Sequence, residues 1–429
     1  MEELLHYVWQ HKLLPLRPLL TESGDPVEVI DPGLHNQDAG PDFFNAKVRI
    51  GGTLWVGNVE IHLAASDWFK HEHQDNVQYD NVILHVVACA DSEVHTLSGN
   101  KIPQLVLPIP EQVKSNYRML QEEAAYPPCY RIIPEVDTFI THSWMSALTT
   151  ERMEQKMHRI ENYLKQTNGD WERTYFITLA RNFGFGTNSE AFEEWAFHIP
   201  PQTIVKHRDD LFQVEAAFMG QAGLLDDEMV AEEKRDDYFL ALQKEYRFLA
   251  HKFNLTPMNA ARWRFLRMRP QNFPHVRLAQ LAHLYHLGRT GLSMMLETAC
   301  YDDFRKLYSI GVTPYWKKHY TFGEEGKSGN KTLQAASVNL LIINTAAPIL
   351  FAHGKQHLCD ESCEKALELL EQTKAEQNWI TRSWEKAGLK VEHAADSQAL
   401  IQLKRNYCER KDCLKCRFGM EYMRKCRQE

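Results

Sequence analysis

At 429 residues, 44% hydrophobic and 25% charged, the chain has room for two or three domains and is too apolar to be intrinsically disordered. Its net charge of −8 is unevenly spread: residues 1–110 hold 6 Lys+Arg against 15 Asp+Glu, so the acidic excess is concentrated there. No apolar run reads as a membrane span, and the start Met1-Glu2-Glu3-Leu4-Leu5-His6 lacks the basic-then-apolar order of a secretion signal, so a cytoplasmic protein without a membrane partner is expected.

In chain order, Leu4, Leu5, Val8 and Trp9 make one stripe of a short amphipathic helix over 2–13. Val27-Glu28-Val29-Ile30 reads as a strand. Two further β-like runs, 43–50 and 53–62, flank Gly51-Gly52 and signal a hairpin. A polar stretch from Asp67 to Asp80 precedes an apolar strand over 82–89, which places Cys89 in the core, and 104–108 adds a last strand. From about residue 110 the hydrophobic period becomes helical. Helices are expected at 111–123, 136–167, 171–183, 189–197, 208–220, 228–253, 258–268, 275–286, 331–351, 360–387 and 396–407. Pro127-Pro128 marks a boundary. The fold class is therefore α+β: an N-terminal α/β domain with a mixed sheet (1–125), then a large all-α domain (126–429).

The chemistry-bearing residues begin in the hairpin. Glu60 and His62 lie two apart on one strand and share a face. If Asp42 meets Glu60, the two carboxylates suit a hard cation such as Mg²⁺ or Mn²⁺, and His62 can orient a metal-bound water. Register decides whether they meet. A two-residue Gly-Gly loop sets Phe43 opposite Glu60 and turns Asp42 to the other face. The site therefore requires a bulge or an odd loop. His71 and His73, two apart, follow soon after and could join the metal or contact a phosphate, although the segment reads first as a solvated loop.

Residues 252–289 carry Lys252, Arg262, Arg264, Arg267, Arg269, Arg277 and Arg289 and no acid. The arginines alternate with aromatics, a pattern that can grip phosphates and stack on bases, so Arg262, Arg264, Arg267, Arg269 and Arg277 are candidate contacts to DNA or RNA. Cys408, Cys413 and Cys416, spaced C-x4-C-x2-C, can gather three thiolates around Zn²⁺ or an iron–sulfur cluster. Cys426 is the nearest fourth ligand, with Cys359 and Cys363 in reserve. Cys129 and Cys300 carry no motif.

Pro41-Asp42, followed by Glu60-Ile61-His62, resembles the core of the PD-(D/E)xK nuclease superfamily over residues 1–110, with histidine at the lysine position. The resemblance implies Asp42 and Glu60 as metal ligands, His62 beside them, and Glu3 as an extra carboxylate from the first helix. It implies metal-dependent phosphodiester hydrolysis on nucleic acid. The alternative is a non-catalytic nucleic-acid-binding or complex-assembly protein that keeps a nuclease-like fold. The cysteine grouping is similar to the cluster loop of helix-hairpin-helix DNA glycosylases, at a different spacing. Over nearly the whole chain, Gln37 to Phe43, Gly57 to His62, Arg269 to Pro274, Asn344 to Pro348 and the tail cysteines resemble a bacterial family of uncharacterised proteins.

Overall fold

The computed structural model describes residues 1–14, 17–36, 38–200, 205–298 and 300–425. Its organising element is the hairpin of β4 (Phe43–Ile50) and β5 (Thr53–Ala64), where Ile50 pairs Thr53. Gly51 and Gly52 both take positive φ, 56° and 89°, the conformation a two-residue turn needs to match the strand twist. Around this pair, β1 (Leu19–Leu20), β2 (Pro26–Asp31), β3 (Leu34–His35), β6 (Val82–Cys89) and β7 (Gln104–Val106) complete a seven-stranded sheet. The order is β1-β2-β4-β5-β6-β7, with β3 on β4. Pairings as far as β4·β5 are antiparallel, and β5·β6 and β6·β7 are parallel. The expected mixed sheet is present.

Helix α1 (Glu2–Gln10) covers the sheet with Leu4, Leu5, Val8 and Trp9, all buried. Val59, Glu60, Ile61 and His62 are consecutively buried, as expected of a central strand covered on both faces. The turn of α2 (Asp67–Lys70) leads towards β6, and Trp68, Tyr79, Val82, Val94 and Ile102 form a small apolar cluster. Cys89, expected in the core, is exposed at the end of β6. Helix α3 (Glu111–Glu122) closes this part of the chain.

By contacts the chain divides into Met1–Ile140 together with the tail from Arg405, and Thr141–Lys404. The tail packs on α3: Gln121 Nε2 donates to Lys411 O at 3.0 Å, and Lys411 Nζ donates to Gln121 O at 2.7 Å. The cysteine-bearing segment thus lies with the sheet, not with the helices to which a boundary at 125/126 assigns it.

The second unit is helical, including Trp171–Phe183, Ser189–His198, Leu211–Gln221, Asp237–Phe253 and Pro274–His286. The helix expected over 228–253 begins only at Asp237, after a 3-10 turn at Glu232–Lys234, and two further expectations differ more. The helix over 258–268 is absent, leaving a 3-10 turn at Ala260–Arg262. The rest of the segment is irregular, with Arg267 at φ 61°: Trp263 is buried, and Arg262, Arg264, Arg267 and Arg269 are exposed. The helix over 360–387 is two, Asp360–Gln372 and Trp379–Lys386, because Asn378 forms a capping box at the second start.

One helix, Ala335–Gln356, is after all long and apolar enough to cross a membrane by length and composition, with 67% of its most apolar window buried within the fold. It contains a π-turn at Ile342–Ala346. Pro348 has no N–H to give the Asn344 carbonyl, which accepts from Asn182 Nδ2 at 2.8 Å instead. Lys156 Nζ donates to the Ile343 carbonyl at 3.0 Å. The Asn344–Pro348 motif therefore has a structural reason.

Candidate metal centre

The bulge that the parity argument requires is present. Pairing runs from Ile50·Thr53 to Ala46·Gly57, then shifts by one to Phe43·Val59. Asn45 absorbs the extra residue with φ 55°, a conformation asparagine tolerates. Burial records the same shift: Ala46, Val48 and Ile50 are buried, and beyond the bulge it is Phe43. Continuing that register, Asp42 falls opposite Glu60. The loop before it is pinned by Asn36, whose N–H donates to Asp42 O at 2.7 Å and whose Nδ2 donates to Pro41 O at 3.1 Å. Gln37, in the same loop, lies outside the described residues.

The two carboxylates are locked reciprocally. Asp42 N–H donates to Glu60 Oε2 at 3.0 Å, and Ile61 N–H donates to Asp42 Oδ2 at 2.9 Å. Their electrostatics diverge. Burial and the Asp42 charge push the Glu60 carboxyl up to about 9. Burial also acts against ionised Asp42, but the His6 hydrogen bond and charge and the Ile61 N–H outweigh it and hold that carboxyl below its ordinary value. At neutral pH the pair thus holds one negative charge and one proton, and a bound cation would favour ionising both.

Helix α1 contributes differently from expectation. Glu3 is exposed, and its field falls on Tyr117. Glu2 and His6, four residues apart on one helical face, are the residues near the pair. His6 Nε2 lies 3.3 Å from Asp42 Oδ2, and although burial opposes its charge, Asp42 and Glu2 raise its pKa. The single rotation of about 100° between Glu2 and Glu3 decides which carboxylate reaches the sheet.

On the other side of Glu60 lies a histidine cluster. His62 Nε2 is 3.5 Å from Glu60 Oε1 and 3.1 Å from His71 Nδ1, and His62 Nδ1 is 2.9 Å from His85 Nε2. His73 Nε2 is 3.2 Å from Glu60 Oε1 but outside hydrogen-bond geometry, so this nitrogen is buried without a hydrogen-bond partner. His73 stacks on Tyr79, ring centroids 3.8 Å apart, and is buried; the solvated-loop reading holds only for His71, which is exposed. Burial and the neighbouring His73 and His71 push His62 down to about 4, and burial and His62 push His85 down to about 3. His62 is therefore a neutral imidazole at pH 7, an acceptor or ligand instead of the permanent cation a lysine would supply. Among the described residues, His62, His71 and His73 are the one group of three or more His, Cys, Asp or Glu whose ligand atoms all lie within 4.8 Å. Sequence reasoning missed His6 and His85 because burial and partners, not spacing, mark them.

The tail cysteines form a separate feature. Cys413 and Cys416 are buried and Cys408 is half-buried, with Lys411 between them in a left-handed turn at φ 58°. Gly419 is required here, since a Cβ would sit 2.1 Å from Cys413 O. Burial and the fields of Cys416, Cys408 and Cys413 push the thiol of buried Cys129, in the loop after α3, well up. No three described thiols close to within 4.8 Å of one another, whereas a single tetrahedral Zn²⁺ with Zn–S near 2.3 Å sets sulfurs about 3.8 Å apart. Cys426 lies outside the described residues. Cys359 and Cys363 belong to the helical unit and bond locally, Cys359 Sγ to Ser362 and Cys363 Sγ to Phe351 O.

Of the candidate nucleic-acid contacts, Arg262 pairs with Glu194 (Nε to Oε2, 2.6 Å). Arg277 is buried, donating to Gln280 Oε1 at 2.9 Å and Asn272 Oδ1 at 2.6 Å over the Phe185 ring, and burial lowers its pKa to about 10. Both are thus already engaged within the protein. Arg264, Arg267 and Arg269 are exposed, with no ion pair among the described residues.

No curated protein and no solved structure matches the chain. A family model described as "Protein of unknown function (DUF2851)" matches residues 2–379, which include both carboxylates and every histidine of the cluster but stop short of the tail cysteines. On that match, the chain belongs to the DUF2851 family.

Proposed function

We propose that the first unit is a metal-dependent phosphodiesterase acting on nucleic acid. The observation that supports this reading is the bulge at Asn45, which sets Asp42 opposite Glu60 at the buried end of a sheet, where two carboxyls share one negative charge. Asp42 and Glu60 would hold Mg²⁺ or Mn²⁺, which would acidify a bound water and neutralise phosphate charge. His62, neutral and beside Glu60, would help orient the attacking water, and His6 keeps Asp42 ionised. Arg264, Arg267 and Arg269 remain as phosphate contacts, and the cytoplasm is the expected compartment. The test is hydrolysis of single- and double-stranded DNA and RNA with Mg²⁺ or Mn²⁺. Wild-type cleavage that is lost in Glu60→Gln supports the proposal. Equal cleavage by both proteins, or none with any substrate, removes it in favour of a non-catalytic binding protein.

For the tail we propose an iron–sulfur cluster held by Cys129, Cys408, Cys413 and Cys416. Cys129 lies in the fields of Cys408, Cys413 and Cys416, and a cluster held by these four would tie the tail to the loop after α3. Brown protein with iron and sulfide supports this assignment, and colourless protein containing zinc favours a single metal instead.

A further inference from the structure

We infer that His62, His71 and His73, with Glu60 beside two of them, form a second metal site, selective for a borderline cation of the Zn²⁺ type and distinct from the hard-cation pair. A tetrahedral ion bound to nitrogen and oxygen at 2.0–2.1 Å holds adjacent donors about 3.3–3.4 Å apart. The measured edges are 3.1 Å (His62 Nε2 to His71 Nδ1), 3.5 Å (His62 Nε2 to Glu60 Oε1) and 3.2 Å (His73 Nε2 to Glu60 Oε1). The three histidine donors all lie within 4.8 Å of one another.

A second observation points the same way. His73 is 8% exposed, and its Nε2 faces the cluster with no hydrogen bond to satisfy it. A buried imidazole lone pair without a donor is a cost that a metal removes. The ring of His62 is also set for ligation. With Nε2 on the ion its proton sits on Nδ1, where His85 Nε2 accepts at 2.9 Å, the outer contact that fixes a ligating imidazole. His85 is thus a positioning residue. Exposed His71 leaves the ion reachable from solvent.

Imidazole donors select borderline metals over Mg²⁺, which prefers oxygen. Glu60 can serve both positions, because Oε2 faces the Asp42 backbone while Oε1 faces the histidines. Two ions sharing one carboxylate is a recurrent arrangement in phosphate-ester chemistry, but this site does not depend on that activity.

The test uses the full-length protein after chelation, titrated with Co²⁺, Zn²⁺ and Mg²⁺ by calorimetry and visible spectroscopy. Co²⁺ at this site gives the intense bands of four-coordinate nitrogen–oxygen ligation, separable from sulfur-to-metal bands of the cysteines. His71→Ala, at an exposed position that the fold does not need, weakens Co²⁺ and Zn²⁺ binding by more than about 100-fold, beyond the loss an outer-shell change brings. Asp42→Asn leaves those bands in place. Absence of histidine-dependent bands, or unchanged Co²⁺ affinity in both His71→Ala and His73→Gln, overturns the inference. The two readings fail separately: Mg²⁺-supported hydrolysis unaffected by His71→Ala, with no histidine-dependent Co²⁺ site, sinks this inference alone. Histidine-dependent Co²⁺ binding without hydrolysis sinks the catalytic proposal alone.

Discussion

Replacing Glu60 by glutamine should make the metal-free protein more stable as pH rises, because the site is built at the expense of the fold. Glu60 is 4% exposed, and burial together with Asp42 raises its carboxyl from 4.5 to about 9. A carboxyl raised in the folded state favours folding while it is protonated in both states, below pH 4.5. That contribution is lost as pH climbs towards 9, since the unfolded chain ionises freely and the folded one does not. At pH 7.5 the loss is about three pH units at 1.36 kcal/mol each, roughly 4 kcal/mol as an upper bound. Glutamine keeps an oxygen for the Asp42 N–H, which Glu60 Oε2 accepts at 3.0 Å, and has no proton to lose. Urea unfolding in chelator, at pH 4.5, 6, 7.5 and 9, is the assay. The two proteins should match near pH 4.5 and diverge steadily above it, with Glu60→Gln ahead by several kcal/mol at pH 9. Parallel pH profiles would refute the argument, because they would mean that Glu60 titrates normally and that no carboxyl pair shares a proton.

Deleting Asn45 removes the bulge and returns Asp42 to the opposite face, so metal-dependent cleavage should fall at least about 100-fold while circular dichroism still reports a folded sheet. Cys129→Ser should lose most of the tail metal by elemental analysis and lower the thermal midpoint; retention of full iron or zinc would exclude Cys129 as a ligand. In the basic segment, Arg267→Ala and Arg269→Ala should each weaken nucleic-acid binding and reduce the salt slope by about 0.9 per lost phosphate contact. Arg277→Ala should instead destabilise the helical unit by several kcal/mol in urea, since it strips a buried network from Gln280 and Asn272.

Most of the secondary structure was legible because hydrophobic period is a local property. Leu4, Leu5, Val8 and Trp9 make a helix face, and the Gly51-Gly52 hairpin follows from turn chemistry alone. The sequence by itself also posed the register question at Asp42. Only the folded sheet answered it, since a bulge is settled by which residues find a core on each side: Phe43 beyond the shift, Ala46 before it. Local pattern misleads at 262–269, where the expected helix gives way to a 3-10 turn and irregular chain with Arg267 at positive φ. The site was legible in Asp42, Glu60 and His62 and not in its other imidazoles. Glu60-x-His62 declares itself by spacing, whereas His6, His73 and His85 come from a helix, a loop and a neighbouring strand. Nothing local distinguishes them from surface or core histidines. Cys129 shows the same limit, standing 279 residues before Cys408 in the chain and meeting its field only because the tail folds back onto the first unit. Spacing along a chain fixes which residues share an element, whereas convergence between elements depends on packing, and the burial that shifts these pKa values exists only once the elements have met.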